Sequence, residues 1–401
     1  MAPPPDWSAL DVYQGTITRG EFLDGLNHWY APRDAWKPFI EVDATEARIR
    51  TRSEKDAPIY QLQFRTGQGE TKGRTVSPKE SRFWRLPTEM PPLEDPAKPL
   101  AGVRIAIDPG HLGGPWAKME GRWFQIGDEI PITEGDMVLI VSRLVREQLE
   151  QLGAEVQLVR ETTRPVTRLR RIAFLNEAYQ SLLRSGRLDG WPPAAAQRRI
   201  LKEAEKLFYR TAEIRARAEL INETIQPDLV LCLHFNADAW GNPNQPQLVD
   251  RHHFHLLLNG CYEAYELALD DARFQMLHRL LSRVSTVELP AGKAAVTAMK
   301  RETDLPPYRY GGTNAWALGD QGYLWARNLL ANRIYAAPVL FYEPFVMNSQ
   351  LDYPRLQTAL QRWKEAAPDP PPADSNDLFE EYARAVVEGV KQYYAAARQG
   401  S

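Results

Sequence analysis

Residues Ile105 to Gly114 read IAIDPGHLGG. An apolar run opens into Asp-Pro-Gly, and a single histidine, His111, then stands among glycines. Val103 to Ile107 reads as a buried strand, and Gly110, Gly113 and Gly114 relax the loop after it so that His111 can turn inward. The pattern beyond this loop fixes the class. Met137, Ile140, Val141, Leu144, Val145 and Leu149 recur at helical spacing, Gly153 suits the residue after a helix end, and AEVQLVR (Ala154–Arg160) is the next strand. DLVLCLH (Asp228–His234), HFHLLLN (His253–Asn259) and PVLFY (Pro338–Tyr342) are further strands. A helix marked by Ile214, Ala218, Ile221 and Ile225 stops before Pro227, and residues 376–398 form a last amphipathic helix. Strands alternating with helices predict an α/β fold, a mostly parallel twisted sheet with helices on both faces.

Outward from this core, LPTEMPPLEDPAKPLAG (residues 86–102) is too rich in proline for sheet or helix interior and reads as a linker. Before it, residues 1–85 form a small α+β module. Thr18 and Glu21 are spaced as a capping box ahead of Phe22, Leu23, Leu26, Trp29 and Tyr30, and FIEVDATEARIRT and PIYQLQFRT alternate as strands. Residues 103–401 form the main domain, with a helical insertion at about 164–210. The net charge of -3 gives no polybasic footprint for nucleic acid or membrane. No apolar run reaches the roughly 20 residues of a membrane span. MAPPPDWSAL shows neither the basic nor the apolar region of a signal peptide. Cys232 and Cys261 lie in apolar runs and read as buried free thiols.

In an open α/β sheet, sites form beyond the carboxyl ends of the strands. His111 follows the first strand of the main domain, His234 ends DLVLCLH, Glu343 ends PVLFYE, and Glu134 opens the helix in ITEGDMVLIV. All four therefore fall on one sheet edge. Two histidines and a glutamate are an attested ligand set for a catalytic zinc that keeps a position for water. His111, Glu134 and His234 supply that set, and Glu343 remains as general acid and base. Glu120, Asp128 and Glu129, in the long gap after His111, compete with Glu134 for the third place.

IAIDPGHLGG, ITEGDMVLIVSRLV, GAEVQLVRET, RAELIN with DLVLCLHFNAD, and APVLFYEPFVMN together resemble the zinc-dependent N-acetylmuramoyl-L-alanine amidases. The resemblance runs in order from about Gly102 to Asn348. It implies a twisted six-stranded sheet, one zinc ion on His111, Glu134 and His234, and Glu343 as catalytic acid/base. It further implies cleavage of the amide between N-acetylmuramic acid and L-alanine in peptidoglycan, in the periplasm or outside the cell. In some cell-division members a helix in the region before the late glutamate covers the zinc until a partner removes it, so an activator protein is a further implied partner. Departures are Met137, Pro344 where glycine is common, the helical insertion, and the long stretch between His234 and Glu343. A hydrolase of this fold acting on soluble muropeptides or other peptides, or a non-catalytic wall-binding or regulatory protein, are the alternatives.

Other features have ordinary readings beside sharper ones. Asp108 braces its turn. Arg217 and Asn222 orient the helix beside His234. His253 and His255 in RHHFH share one strand face and suit a second metal, a substrate groove or help to an oxyanion. The aromatic run from Tyr308 to Asn328 suits glycan contact or packing under a loop. The Arg-rich insertion reads as a solvated helical face, or as a surface for anionic wall polymer.

Overall fold

The computed structural model describes residues 4–54, 56–66, 82–319 and 321–399. Residues 67–81 of the N-terminal module, and Asp320 in the aromatic run, lie outside them. Strands β1 (Ile40–Val42), β2 (Glu46–Arg50) and β3 (Ile59–Gln63) form an antiparallel sheet. Thr18 and Glu21 make the reciprocal cap, Thr18 N–H donating to Glu21 Oε2 at 2.8 Å and Glu21 N–H to Thr18 Oγ1 at 3.2 Å. The apolar face of these elements does not close on itself. Leu10, Phe22, Leu26, Ile49 and Leu62 share a cluster with Met276, Leu277 and Leu280 of the helix Asp270–Ser282. The proline-rich stretch packs on the main body through Met90 and Leu100.

The main sheet uses β4 (Arg104–Pro109), β7 (Glu155–Leu158), β8 (Leu229–Leu233), β9 (Phe254–Leu258), β10 (Trp316–Ala317), β11 (Leu324–Ala326) and β12 (Val339–Pro344). A two-stranded hairpin, β5 (Trp123–Phe124) and β6 (Ile132–Thr133), rises between β4 and β7 in sequence. The order across the sheet is β10-β11-β9-β12-β8-β4-β7. It has seven strands, not the six that the resemblance implied, because the stretch between His234 and Glu343 adds an edge. Neighbours are parallel except β12 with β9 and β10 with β11. The parallel strands are apolar throughout because helices cover both faces: β8 is buried at every residue. One layer is Glu134–Gln151, Ser285–Thr303 and Leu378–Gln399. A Cβ on Gly389 would lie 2.7 Å from the Ala295 backbone, so glycine sets how closely the last two helices cross. The other layer contains Glu213–Glu219 with its continuation Leu220–Ile225, and Leu330–Ile334.

The reversal of β9 matters for the site. Because β9 runs against β12, the start of β9 meets the end of β12, and His255 stands directly across from Glu343. Cys232 and Cys261 are buried and unpaired with each other.

Candidate metal centre

The loop after β4 is held by charge from behind. Asp108 accepts from Arg217 Nη1 at 2.8 Å and from the Tyr335 hydroxyl at 2.6 Å. Arg217 also donates to the carbonyls of Pro109 and His111, and Arg160, at the end of the β7 run, donates to those of Pro109 and Gly110. Two buried guanidiniums side by side repel, and burial together with Arg217 pulls the Arg160 pKa down to about 9. The loop they grip is strained, since His111 itself takes φ +55°. Gly110 serves a different end from the flexibility expected of it: a Cβ there would lie 2.3 Å from the His234 ring. The glycine lets β4 and β8 bring their two histidines together.

Those histidines meet Glu134. His111 Nε2 is 3.3 Å from Glu134 Oε2, and His234 Nδ1 is 3.1 Å from Glu134 Oε1. The imidazole rings stand 5.1 Å apart at 85°. One ligand atom from each of the three residues falls within 4.8 Å of the others, and among the described residues this is the one group with spacing fit for an ion. Phe341 stacks on His234 at 4.3 Å, and the Tyr382 hydroxyl donates to its carbonyl. Glu120 stands behind His111, 3.7 Å from Nδ1, and accepts from the Leu112 N–H. Glu129 is taken by the Tyr353 hydroxyl.

The donor chemistry fits a divalent transition metal. Arg122, next to β5, shows that a cation is wanted: its Nε–H reaches His111 Nε2 at 3.0 Å and lies 3.2 Å from Glu134 Oε2. Burial pushes the Glu134 carboxyl up, but His111, His234 and Arg122 outweigh it and hold the group well below the usual carboxylate range. Burial lowers the His111 pKa against the opposing pull of Glu134 and Glu120, and Nε2, which accepts from Arg122, presents its lone pair.

Glu343 lies beside this trio. Loss of solvent raises its pKa to about 7, Glu134 adds to the rise, and His234, Arg122 and Arg327 oppose it. Past the end of β8, Asn236 Oδ1 accepts from Ala237 N–H, so its amide nitrogen faces the other way. That nitrogen donates to His253 Nε2 at 3.0 Å and His255 Nδ1 at 3.3 Å. His255 therefore carries its proton on Nε2 and donates to the Tyr310 hydroxyl at 2.9 Å, which also accepts from Arg327 Nη1. Burial drops the His253 and His255 pKa values to about 4 and about 3, so both rings are neutral at neutral pH. Tyr308 packs on both. Sequence reading missed Arg122, Arg160 and Tyr335, since none stands at a fixed spacing from a ligand, while Tyr310 and Arg327 fall inside the aromatic run it marked for glycan contact or packing. Asn222 is structural as read, bonded to Ile334 and Ala336.

No family model matches the chain, and no curated protein matches it. Solved structures with a similar outline include the N-acetylmuramyl-L-alanine amidase Ami1 from Mycobacterium smegmatis, at 16% identity and a TM-score of 0.40 over 74% of this chain and 99% of that one. AmiC2 of Nostoc punctiforme matches at 14% and 0.38 over 73% and 98%, and the CwlD amidase from Clostridioides difficile, solved with the GerS lipoprotein, at 13% and 0.38 over 73% and 98%. At such values the reading of function has to come from the residues at the site.

Proposed function

We propose that this chain is a zinc-dependent peptidoglycan amidase that cleaves the bond between N-acetylmuramic acid and L-alanine. One observation carries the reading: His111, Glu134 and His234, drawn from three separate elements, converge within 4.8 Å, with Glu343 next to them and poised near neutrality. A zinc ion on the three side chains would polarise the amide carbonyl and make water a better nucleophile. Glu343 accepts the proton of the attacking water and passes it to the departing amine nitrogen, a task suited to a carboxyl whose pKa lies close to working pH. Arg122 either moves off the ligand set or turns its charge to the developing oxyanion. The Tyr310 hydroxyl accepts from His255 and Arg327, so its own proton is available to an acceptor on a bound substrate. A wall substrate places this work in the periplasm or outside the cell, and a protein that displaces Arg122 would act as an activator.

The test is direct. Purified protein is incubated with intact sacculi and with soluble muropeptides, with and without a chelator, and the new ends are identified by mass spectrometry. The reading requires free L-alanine amino ends that the chelator suppresses and zinc restores. Cleavage of soluble fragments alone would move the substrate to recycled muropeptides. Cleavage elsewhere in the stem would make the chain a peptidase.

A further inference from the structure

The helical insertion differs in chemistry from the rest of the chain. Residues 164–210 hold eleven Lys and Arg against four Asp and Glu, whereas the whole chain is slightly acidic. The same segment contains six of the ten strongly exposed large hydrophobic side chains among the described residues: Leu169, Ile172, Tyr179, Leu183, Trp191 and Leu201. Ile172 is 69% exposed and Leu169 53%.

The helices Leu175–Arg184 and Pro193–Lys206 pack as a hairpin. On the first, Ala178 and Leu182 face inward and are buried. Tyr179 and Leu183, one position on and four apart, share an outward stripe that a solvated helix would fill with polar residues. Ahead of it RLRRIA, residues 168–173, is exposed at every position and mixes arginine with Leu169 and Ile172. At the far end Trp191 stays 46% exposed, with the Arg199 guanidinium 3.6 Å over its ring. Glu205 is paired with Arg171 and Glu203 with Arg187 and Lys206, so two of the four acids are already engaged and the excess charge is positive.

Charge alone would suit any polyanion, and a sugar could stack on Trp191 or Tyr179, but a polymer of sugars and phosphates gives nothing to exposed Leu169, Ile172, Leu183 and Leu201. Arginine beside Trp, Tyr, Leu and Ile matches the boundary of an anionic bilayer. There the guanidiniums meet phosphates, the aromatic rings lie at headgroup level and the aliphatic chains enter the acyl region. We propose that residues 164–210 dock the protein on an anionic lipid surface. The insertion packs on the loop that follows His111, where Phe208 lies 5.5 Å from Trp116. Docking would therefore fix the direction in which the catalytic edge faces.

The assay needs no turnover, so its outcome is separate from that of the amidase reading. The full chain, with chelator present, is sedimented with vesicles of phosphatidylcholine alone and with about one third phosphatidylglycerol. Binding is expected to the anionic vesicles only, weakening as salt rises. Ile172→Ser with Trp191→Ser, and separately Arg168→Glu with Arg170→Glu, should each weaken it at least about tenfold at unchanged circular dichroism. Three results overturn the proposal: no binding to either vesicle; anionic binding untouched by the apolar pair; or lipid-free self-association that the apolar pair abolishes, which would make the surface an interface between copies.

Discussion

A carboxyl whose pKa sits near 7 has been removed from water at a cost, and Glu343 is such a group. Its ordinary value is 4.5, so the folded chain favours the protonated form. The stability this confers on metal-free protein is complete below about pH 4.5 and is lost as pH rises through 7. Glu343→Gln keeps the shape without the charge. At pH 8 the metal-free variant should be more stable than the parent by on the order of 3 kcal/mol, and the two should converge by pH 4. Denaturant melts at the two pH values measure this, and equal gaps at both would mean Glu343 is not desolvated. A cation beside the carboxylate reverses part of the shift, so the acid limb of the loaded protein's rate profile should lie below 7. Turnover is the second readout: Glu343→Gln should still bind one zinc per chain and lose about a thousandfold in rate. If the variant kept its rate, the proton would have to travel by another group.

Between elements, the decisive part is the grip on the loop from Asp108 to His111. Arg217 joins a helix of one layer to that loop and is buried between Asp108 and Glu213. Arg217→Met would leave two carboxylates without their cation, which typically costs about 3–5 kcal/mol and here should also release His111. A denaturant melt and a zinc titration on the same variant test both effects; a stability change without loss of zinc affinity would show that the loop keeps its form unaided. The sequence disclosed this region unevenly. His111, His234 and Glu343 were legible because hydrophobic period and strand ends place them at one edge by rule, and Glu134 because a helix starts there. Arg122, Arg160 and Tyr335 were not, because their partners arise only when distant segments meet. The direction of β9 was hidden too: five buried residues read alike either way, and only the pairing with β12 sets His255 opposite Glu343. The two-residue β10 lies below the length at which period can be read.

Taken as one molecule, the chain spends stability at its centre. Two imidazoles, two carboxyls and a guanidinium crowd a sheet edge already backed by the buried charges of Asp108, Arg160 and Arg217, and the loop bearing His111 is strained. A metal that binds the native state and not the unfolded chain returns that stability by mass action, about 4 kcal/mol at a thousand times the dissociation constant. The candidate ligands come from the loop after β4, the start of the helix Glu134–Gln151 and the end of β8, so an ion on them would tie together two adjacent strands and the helix that covers them. Thermal unfolding of chelated protein should therefore shift upward on adding zinc, saturate near one equivalent and reverse with excess chelator. His234→Ala should abolish the shift, because two remaining donors hold an ion far more weakly than three. Arg122→Ala should enlarge it, since the parent must first move a guanidinium from the ligand atoms. An upward shift that survives His234→Ala would place the ion elsewhere on the chain and remove the basis for the proposed chemistry.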